Sequence, residues 1–164
     1  MLDKKTVGHH VMLPTLEHPA QIVVIYDNDS DIELLRGALN QQGEPFELTV
    51  LRDGEAALRF IDDHRSGRLP PHPCVIALDL DLPKHDGLTV LAALKAERKV
   101  SHIKVLVVGT LTRPETQALL RAMGGLSREK PSDGPGWLDL AAELIALCKK
   151  APKKPRTSSA RVGP

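Results

Sequence analysis

The sequence predicts an α/β fold in which a five-stranded parallel sheet lies between two layers of helices. Strand-like apolar segments alternate five times with amphipathic segments along the 164 residues. Apolar residues make up 41% of the chain and aromatic residues only 2%, so the core must consist mainly of Leu, Val, Ile and Ala. Aliphatic strands of this kind are typical of parallel sheets that are buried on both faces. The length fits one domain.

The first two predicted units each pair a short strand with an amphipathic helix. Residues 22–25 form an aliphatic strand, and Ser30 with Glu33 forms a capping box that opens the first helix, which Gly43 ends. The segment FELTVLR alternates as a half-buried strand does, and GEAALRFIDDH follows it as a helix. The buried stripes of these helices are predicted at Ile32, Leu35 and Leu39 and at Ala57, Leu58 and Ile61.

The remaining three units follow the same pattern, although the last strand is weak. CVIALD is apolar up to its final residue, as expected of a central parallel strand. IKVLVVG predicts the fourth strand, whereas GGLSREKP offers a single Leu for the fifth. The third helix is marked by Leu88, Leu91 and Ala92, and the fourth begins with Thr112, Pro114 and Glu115 as cap, first-turn proline and capping acid. The last helix is predicted over residues 137–148, with Leu138, Ala141, Ala142 and Ile145 buried.

This alternation predicts where a functional site would lie. Regular β-α units imply a parallel sheet with right-handed crossovers and helices on both faces. For five units we expect a flavodoxin-like (βα)5 three-layer sandwich with parallel sheet order 2-1-3-4-5. In such sheets, binding sites form beyond the carboxyl ends of the strands where the order reverses, here between the first and third strands. Asp27 and Asp79 stand at the ends of these two strands.

Composition divides the chain into three parts. Residues 1–19 are predicted to be a flexible arm, residues 20–148 the folded domain and residues 149–164 a flexible tail. The tail holds six Lys or Arg and no acid, so the rest of the chain has a net charge of −5 although the total is +1. Nucleic-acid binding by the tail is not expected, because no aromatic residue is present to stack on bases.

Two further features set expectations about compartment and redox state. Cys74 and Cys148 lie far apart in sequence and form no CxxC pattern, so they are predicted to be free thiols. No apolar run reaches the length of a membrane span, and the first residues lack the apolar centre of a signal peptide. We therefore expect a soluble cytoplasmic protein that does not contact a membrane.

Carboxylates are concentrated at the predicted site. The stretch VVIYDNDSD contains Asp27, Asp29 and Asp31, and the third strand leads into Asp79 and Asp81. Ionised carboxylates about 5 Å apart repel by roughly 3 kcal/mol per pair at an effective dielectric of 20, so a compensating cation is required. Mg²⁺ is suited to this role because it takes oxygen ligands and retains several waters. Lys130, just past the fifth strand, could add a positive charge and stabilise an acyl phosphate on Asp79.

These residues carry a resemblance to a known family. DNDSDIELLRGAL and VIALDLDLPKHDGLTVLAALK are similar to segments of response-regulator receiver domains of bacterial two-component signalling, and the likeness extends over residues 21–147. The segment HRSGRLPPHPCVIALDLDLP is similar to stand-alone receivers partnered with phytochrome-like kinases. The resemblance implies Asp79 as phosphoacceptor, Asp27, Asp79 and Asp81 as Mg²⁺ ligands, the last through its main-chain carbonyl, Lys130 as phosphate contact, and Pro83 and Gly87 in the following loop.

The resemblance also implies partners and an output. A sensor histidine kinase would donate the phosphoryl group, a second copy of the chain is a candidate partner, and the signal would pass through protein contacts. The chain would not be an enzyme beyond a slow autodephosphorylation.

Three positions depart from the family pattern. Receivers usually carry two adjacent acids after the first strand, and here the first of them is Tyr26. The hydroxyl expected after the fourth strand is replaced by Gly109, followed by Thr110, and the aromatic residue expected three positions before the lysine is Ser127. Asp81 could restore the number of carboxylates. The usual relay from the phosphoryl group to the fourth helix is therefore expected to be weakened.

Other functions fit parts of the sequence. A degenerate receiver would bind partners without phosphorylation. DLDLP also resembles the nucleophile motif of haloacid-dehalogenase-type phosphatases, with Asp79 as nucleophile and Asp81 as general acid, but the further acids are scattered. A flavodoxin-like FMN site would need a hydroxyl-rich loop after the first strand, where DNDSD stands instead.

Overall fold

The predicted alternation of strands and helices is confirmed. A computed structural model describes residues 18–68, 72–110 and 113–151 of the chain. Its elements are β1 (Ala20–Ile25), α1 (Asp29–Asn40), β2 (Phe46–Leu51), α2 (Gly54–Arg65), β3 (Val75–Asp79), α3 (Gly87–Ala96), β4 (Lys104–Gly109), α4 (Pro114–Ala122), β5 (Leu126–Glu129) and α5 (Gly134–Lys150). Most of the predicted arm and tail lies outside the described residues.

The five strands form one parallel sheet in the order β2-β1-β3-β4-β5, as the sequence predicted. All five residues of β3 are buried, which explains why its sequence is apolar up to the last position. Side chains of alternate strand positions enter two separate cores. One core packs against α1 and α5, and the other packs against α2, α3 and α4.

The first helix begins earlier than predicted. The capping box at Ser30 and Glu33 is wrong, because the helix starts at Asp29 and Asn28 is its N-cap. The Asn28 side chain accepts a hydrogen bond of 3.1 Å from the amide of Asp31. An amide oxygen therefore satisfies one of the free N–H groups of the first turn.

Three details of the other helices also differ. Ala92 and Ala142 are exposed and Leu138 is only half-buried, whereas Leu91, Ala141 and Ile145 are buried as predicted. The buried stripes also include Val90 and Leu94 in α3 and Trp137, Leu140, Leu144 and Cys148 in α5. Helix α5 starts at Gly134, because the side chain of Asp133 caps it. The N-cap of α4 is Arg113, which makes no side-chain cap, and the predicted cap Thr112 lies outside the described residues.

The weak fifth strand forms in spite of its polar sequence. It pairs with β4 on one side only, so it is the edge of the sheet. Leu126 is 41% exposed and Ser127 is also exposed. An edge strand needs few apolar residues because one side of it faces solvent.

The prediction of two free cysteines is wrong. Cys74, just before β3, and Cys148, near the end of α5, form a disulfide with their Cα atoms 4.9 Å apart. Helix α5 runs antiparallel to the strands, so its C-terminal end lies near the amino ends of the strands, where β3 begins. Spacing along the chain could not show this proximity. Among the helices of the described residues, none has both the length and the apolar character needed to cross a membrane.

Candidate functional site

Asp79 lies at the carboxyl end of the central strand β3 and is buried. Its side chain is 5% exposed. One carboxylate oxygen, Oδ1, accepts a hydrogen bond of 2.9 Å from the amide of Asp81. The strand end and the turn that follows it therefore fix the orientation of the carboxylate.

Lys130 faces this carboxylate from the end of β5. The Lys130 amide donates a hydrogen bond of 3.0 Å to the carbonyl of Gly109, which continues the β4–β5 pairing by one residue. The Lys130 ammonium lies 3.5 Å from Asp79 Oδ2 and 2.5 Å from Asp31 Oδ2. Thus one ammonium group bridges carboxylates from β3 and from the first turn of α1.

The electrostatic environment raises the pKa of Asp79 above its ordinary value. Burial is the main cause, and the charges of Asp81 and Asp27 act in the same direction. The hydrogen bond from the Asp81 amide and the charge of Lys130 oppose the rise without cancelling it. An additional cation at this position would stabilise the ionised form of Asp79.

The three acids proposed as ligands differ in exposure. Asp79 is buried, whereas Asp27 and Asp81 are exposed on the rim, as is Thr110. No group of three or more His, Cys, Asp or Glu side chains within residues 18–68, 72–110 and 113–151 is arranged to hold a metal ion. Mg²⁺ commonly takes only one or two carboxylates and fills its octahedron with water. The carboxylate oxygens of Asp79 and the nearby Asp27 are of the ligand type that this cation takes.

Tyr26 replaces an acid at the base of the site. Its side chain is fully buried, and its hydroxyl has no hydrogen-bond partner among the described residues. Burial raises the pKa of the phenol, and the nearby charges of Asp79 and Asp31 raise it further. The phenol therefore stays neutral and supplies no negative charge for a cation.

Leu80 occupies the space that a side chain at position 109 would need. A Cβ atom placed on Gly109 would lie 2.9 Å from the Leu80 Cβ. A side chain at position 109 would therefore require Leu80 to move. A Cβ on Gly87 would lie 2.7 Å from the Leu80 Cα and 2.8 Å from the Asp79 carbonyl oxygen, so the turn after Asp79 requires glycine there.

A second ion-pair cluster holds the same turn from its outer side. Lys84, whose φ of 70° is unusual for a residue other than glycine, places its ammonium 3.3 Å from Asp53 and 3.2 Å from Glu55. Asp53 is the N-cap of α2. The turn between β3 and α3 is thus tied to the start of α2.

Asp31 is the site residue that sequence reasoning did not assign. Of the three acids in DNDSD, Asp29 pairs with Arg52 on the surface, whereas Asp31 points to Lys130. The sequence did contain a signal for this role. Asp31 lies three residues after the N-cap Asn28, in the first turn of α1, and this turn begins at the carboxyl ends of the strands. The misplaced cap obscured this signal.

Comparisons with known proteins agree with the geometry. No family model matches the chain. Over 92 residues the chain is 37% identical to the response regulator Rcp1 of Synechocystis sp., a match that covers 56% of this chain and 63% of Rcp1. It is 31% identical to the bacteriophytochrome response regulator AtBRR, whose structure matches with a TM-score of 0.61 over 79% of this chain and 94% of that one.

The chain belongs to the response-regulator receiver family. The Mn²⁺-bound form of Rcp1 also superimposes, with 26% identity and a TM-score of 0.71 over 84% of this chain and 99% of that chain. Membership in this family of two-component signalling proteins favours the receiver interpretation over the phosphatase and the FMN site. The sequence match to Rcp1 spans less than two thirds of the length of that protein.

Proposed function

We propose that this receiver accepts a phosphoryl group on Asp79 from the phosphohistidine of a sensor histidine kinase, with Mg²⁺ bound. The observation that carries the proposal is the buried Asp79 carboxylate beside the Lys130 ammonium, at a distance of 3.5 Å. The names of the related proteins, which include phytochrome response regulators, support a photoreceptor kinase as donor. The proposal includes a cytoplasmic location, as expected from the sequence.

The proposed chemistry transfers one phosphoryl group between two nucleophiles. A carboxylate oxygen of Asp79 forms a bond to phosphorus, and the phosphorus–nitrogen bond to the kinase imidazole breaks, with its electron pair passing to the ring nitrogen. Asp27, Asp79 and the main-chain carbonyl of Asp81 would hold Mg²⁺, which supplies charge neutralisation for the phosphoryl oxygens when bound. Lys130 places a positive charge beside the oxygens of the acyl phosphate.

Incubation with a small acyl phosphate and Mg²⁺ tests the proposal without the kinase. Intact-protein mass spectrometry should detect one added phosphoryl group in the wild type. Asp79→Asn should show none, and Asp63→Asn, which removes an exposed acid of α2, should match the wild type. An adduct of equal yield in Asp79→Asn would refute the assignment of the acceptor.

A second candidate function is supported by the region around Gly109. Leu80 fills the space of the switch side chain, and Ser127, in place of an aromatic residue, is exposed on β5. Phosphorylation at Asp79 would then have few contacts through which to change the α4–β5 surface. In this case the domain binds its partner independently of phosphorylation.

Partner affinity separates the two functions. The dimerisation and phosphotransfer domain of a phytochrome-type kinase is immobilised, and the binding of wild type and Asp79→Ala is measured with and without beryllofluoride and Mg²⁺. Equal affinity under all conditions supports the independent module, whereas a change that requires Asp79 supports the phosphoacceptor. Sedimentation of the same samples tests whether two copies associate.

A further inference from the structure

Asp31 lies at the candidate site but has no role in the function proposed above. Its side chain is only 15% exposed although it lies in the first turn of a surface helix. The Asp31 Oδ2 atom is buried and contacts the Lys130 ammonium at 2.5 Å. The same ammonium lies 3.5 Å from Asp79 Oδ2. A buried carboxylate is costly unless it is paired, so this contact is the compensating interaction.

The contact holds Lys130 toward Asp79 rather than away from it. Hydrogen bonds of their main-chain amides fix the positions of both Asp31 and Lys130. The Asp31 amide donates to the Asn28 side chain, and the Lys130 amide donates to the Gly109 carbonyl. Lysine has a long flexible side chain, and its ordering opposes any interaction that it makes. With Asp31 in place, the ammonium is already ordered beside the acceptor before any phosphoryl group arrives.

We propose that Asp31 is a positioning residue for phosphoryl binding, acting through Lys130. Because Tyr26 stands in place of an acid, the end of β1 carries one acid, Asp27, and Asp31 adds a further carboxylate from α1. Asp31 acts by holding the Lys130 ammonium in place, and it does not contact the phosphoryl group. This inference rests on the proposed function, because it assigns a role within the phosphoryl-accepting site.

The test measures the affinity of the folded protein for beryllofluoride at saturating Mg²⁺, by calorimetry. Asp31→Asn should weaken binding by about tenfold, the loss expected when a rotamer-rich side chain must be ordered on binding. The matched control is Asp29→Asn, which removes the same charge from the same helical turn but breaks only the exposed pair with Arg52. It should bind as the wild type does. Asp31→Glu keeps the charge and should recover affinity to within about threefold.

A double-mutant cycle separates positioning from a direct role. In a Lys130→Ala background, Asp31→Asn should cause no further loss, because the residue through which it acts is absent. A tenfold loss in both backgrounds would overturn the proposal, as would equal affinities of Asp31→Asn and Asp29→Asn or tighter binding by Asp31→Asn. Circular dichroism confirms that each variant is folded, and Asp31→Glu provides the comparison if Asp31→Asn is not. Failure of the wild type itself to bind beryllofluoride would overturn the proposed function, and this inference with it.

Discussion

Reduction of the Cys74–Cys148 disulfide should lower the free energy of unfolding by about 2–4 kcal/mol. The bond joins residues that are 74 positions apart. For a loop of that length, loop-closure entropy in the unfolded chain gives an upper value of about 4.5 kcal/mol at 25 °C, and measured effects are usually smaller. The loss acts on the whole domain, because the bond connects the central strand β3 to the last helix α5.

Urea unfolding in the presence and absence of a phosphine reductant measures this loss. For a denaturant slope of about 1–3 kcal/mol/M, a loss of 3 kcal/mol lowers the urea midpoint by roughly 1–3 M. Cys148→Ala is the control, because its midpoint should not respond to the reductant. Thiol titration of the denatured protein establishes how many cysteines are free in each sample.

Two results would refute this reasoning. Two free thiols in air-oxidised protein would show that the bond does not form. An unchanged midpoint after complete reduction would show that the bond adds no net stability, because its restriction of the unfolded chain is offset in the folded state. Since reducing compartments keep thiols reduced, the same comparison also gives the stability that the domain has without the bond.

Two substitutions at the site, and a third at Gly37 as a control, can be tested through protein stability. Asp79→Asn should raise the melting temperature at pH 7, because burial raises the pKa of Asp79 and the ionised carboxylate therefore destabilises the folded state. This gain should shrink as the pH falls through the raised pKa toward the ordinary value of 3.8, and a gain that grows toward acid would contradict it. Gly87→Ala should lose about 1–3 kcal/mol by overpacking against the backbone of residues 79 and 80. Gly37→Ala, where nothing lies within 4 Å of the added methyl group, should gain about 0.5–1 kcal/mol, and equal effects at the two glycines in chemical denaturation would argue against the steric explanation.

The sequence was sufficient to predict the order of strands and helices, because the patterns that indicate them are local and repeat along the chain. Aliphatic runs, amphipathic stripes and turn residues each report on a few neighbouring positions, and their alternation limits the topology. The polar β5 was weakly predicted, since an edge strand carries little apolar signal. The predicted start of α1 was wrong because Ser30 and Asn28 are both good N-cap residues. Only the folded structure shows that the Asn28 side chain accepts the hydrogen bond from the Asp31 amide.

By itself, the sequence determined the alternation of strands and helices and the strand ends at which the carboxylates lie, because hydrophobic periodicity marks where each strand ends. The order 2-1-3-4-5 was an expectation for five such units, and the structure confirms it. The tertiary structure decided which groups meet across long separations. It joined Cys74 to Cys148, set Leu80 against Gly109 and directed Asp31 to Lys130. Contacts of this kind depend on the angles at which helices pack on the sheet, and no pattern within one segment encodes those angles.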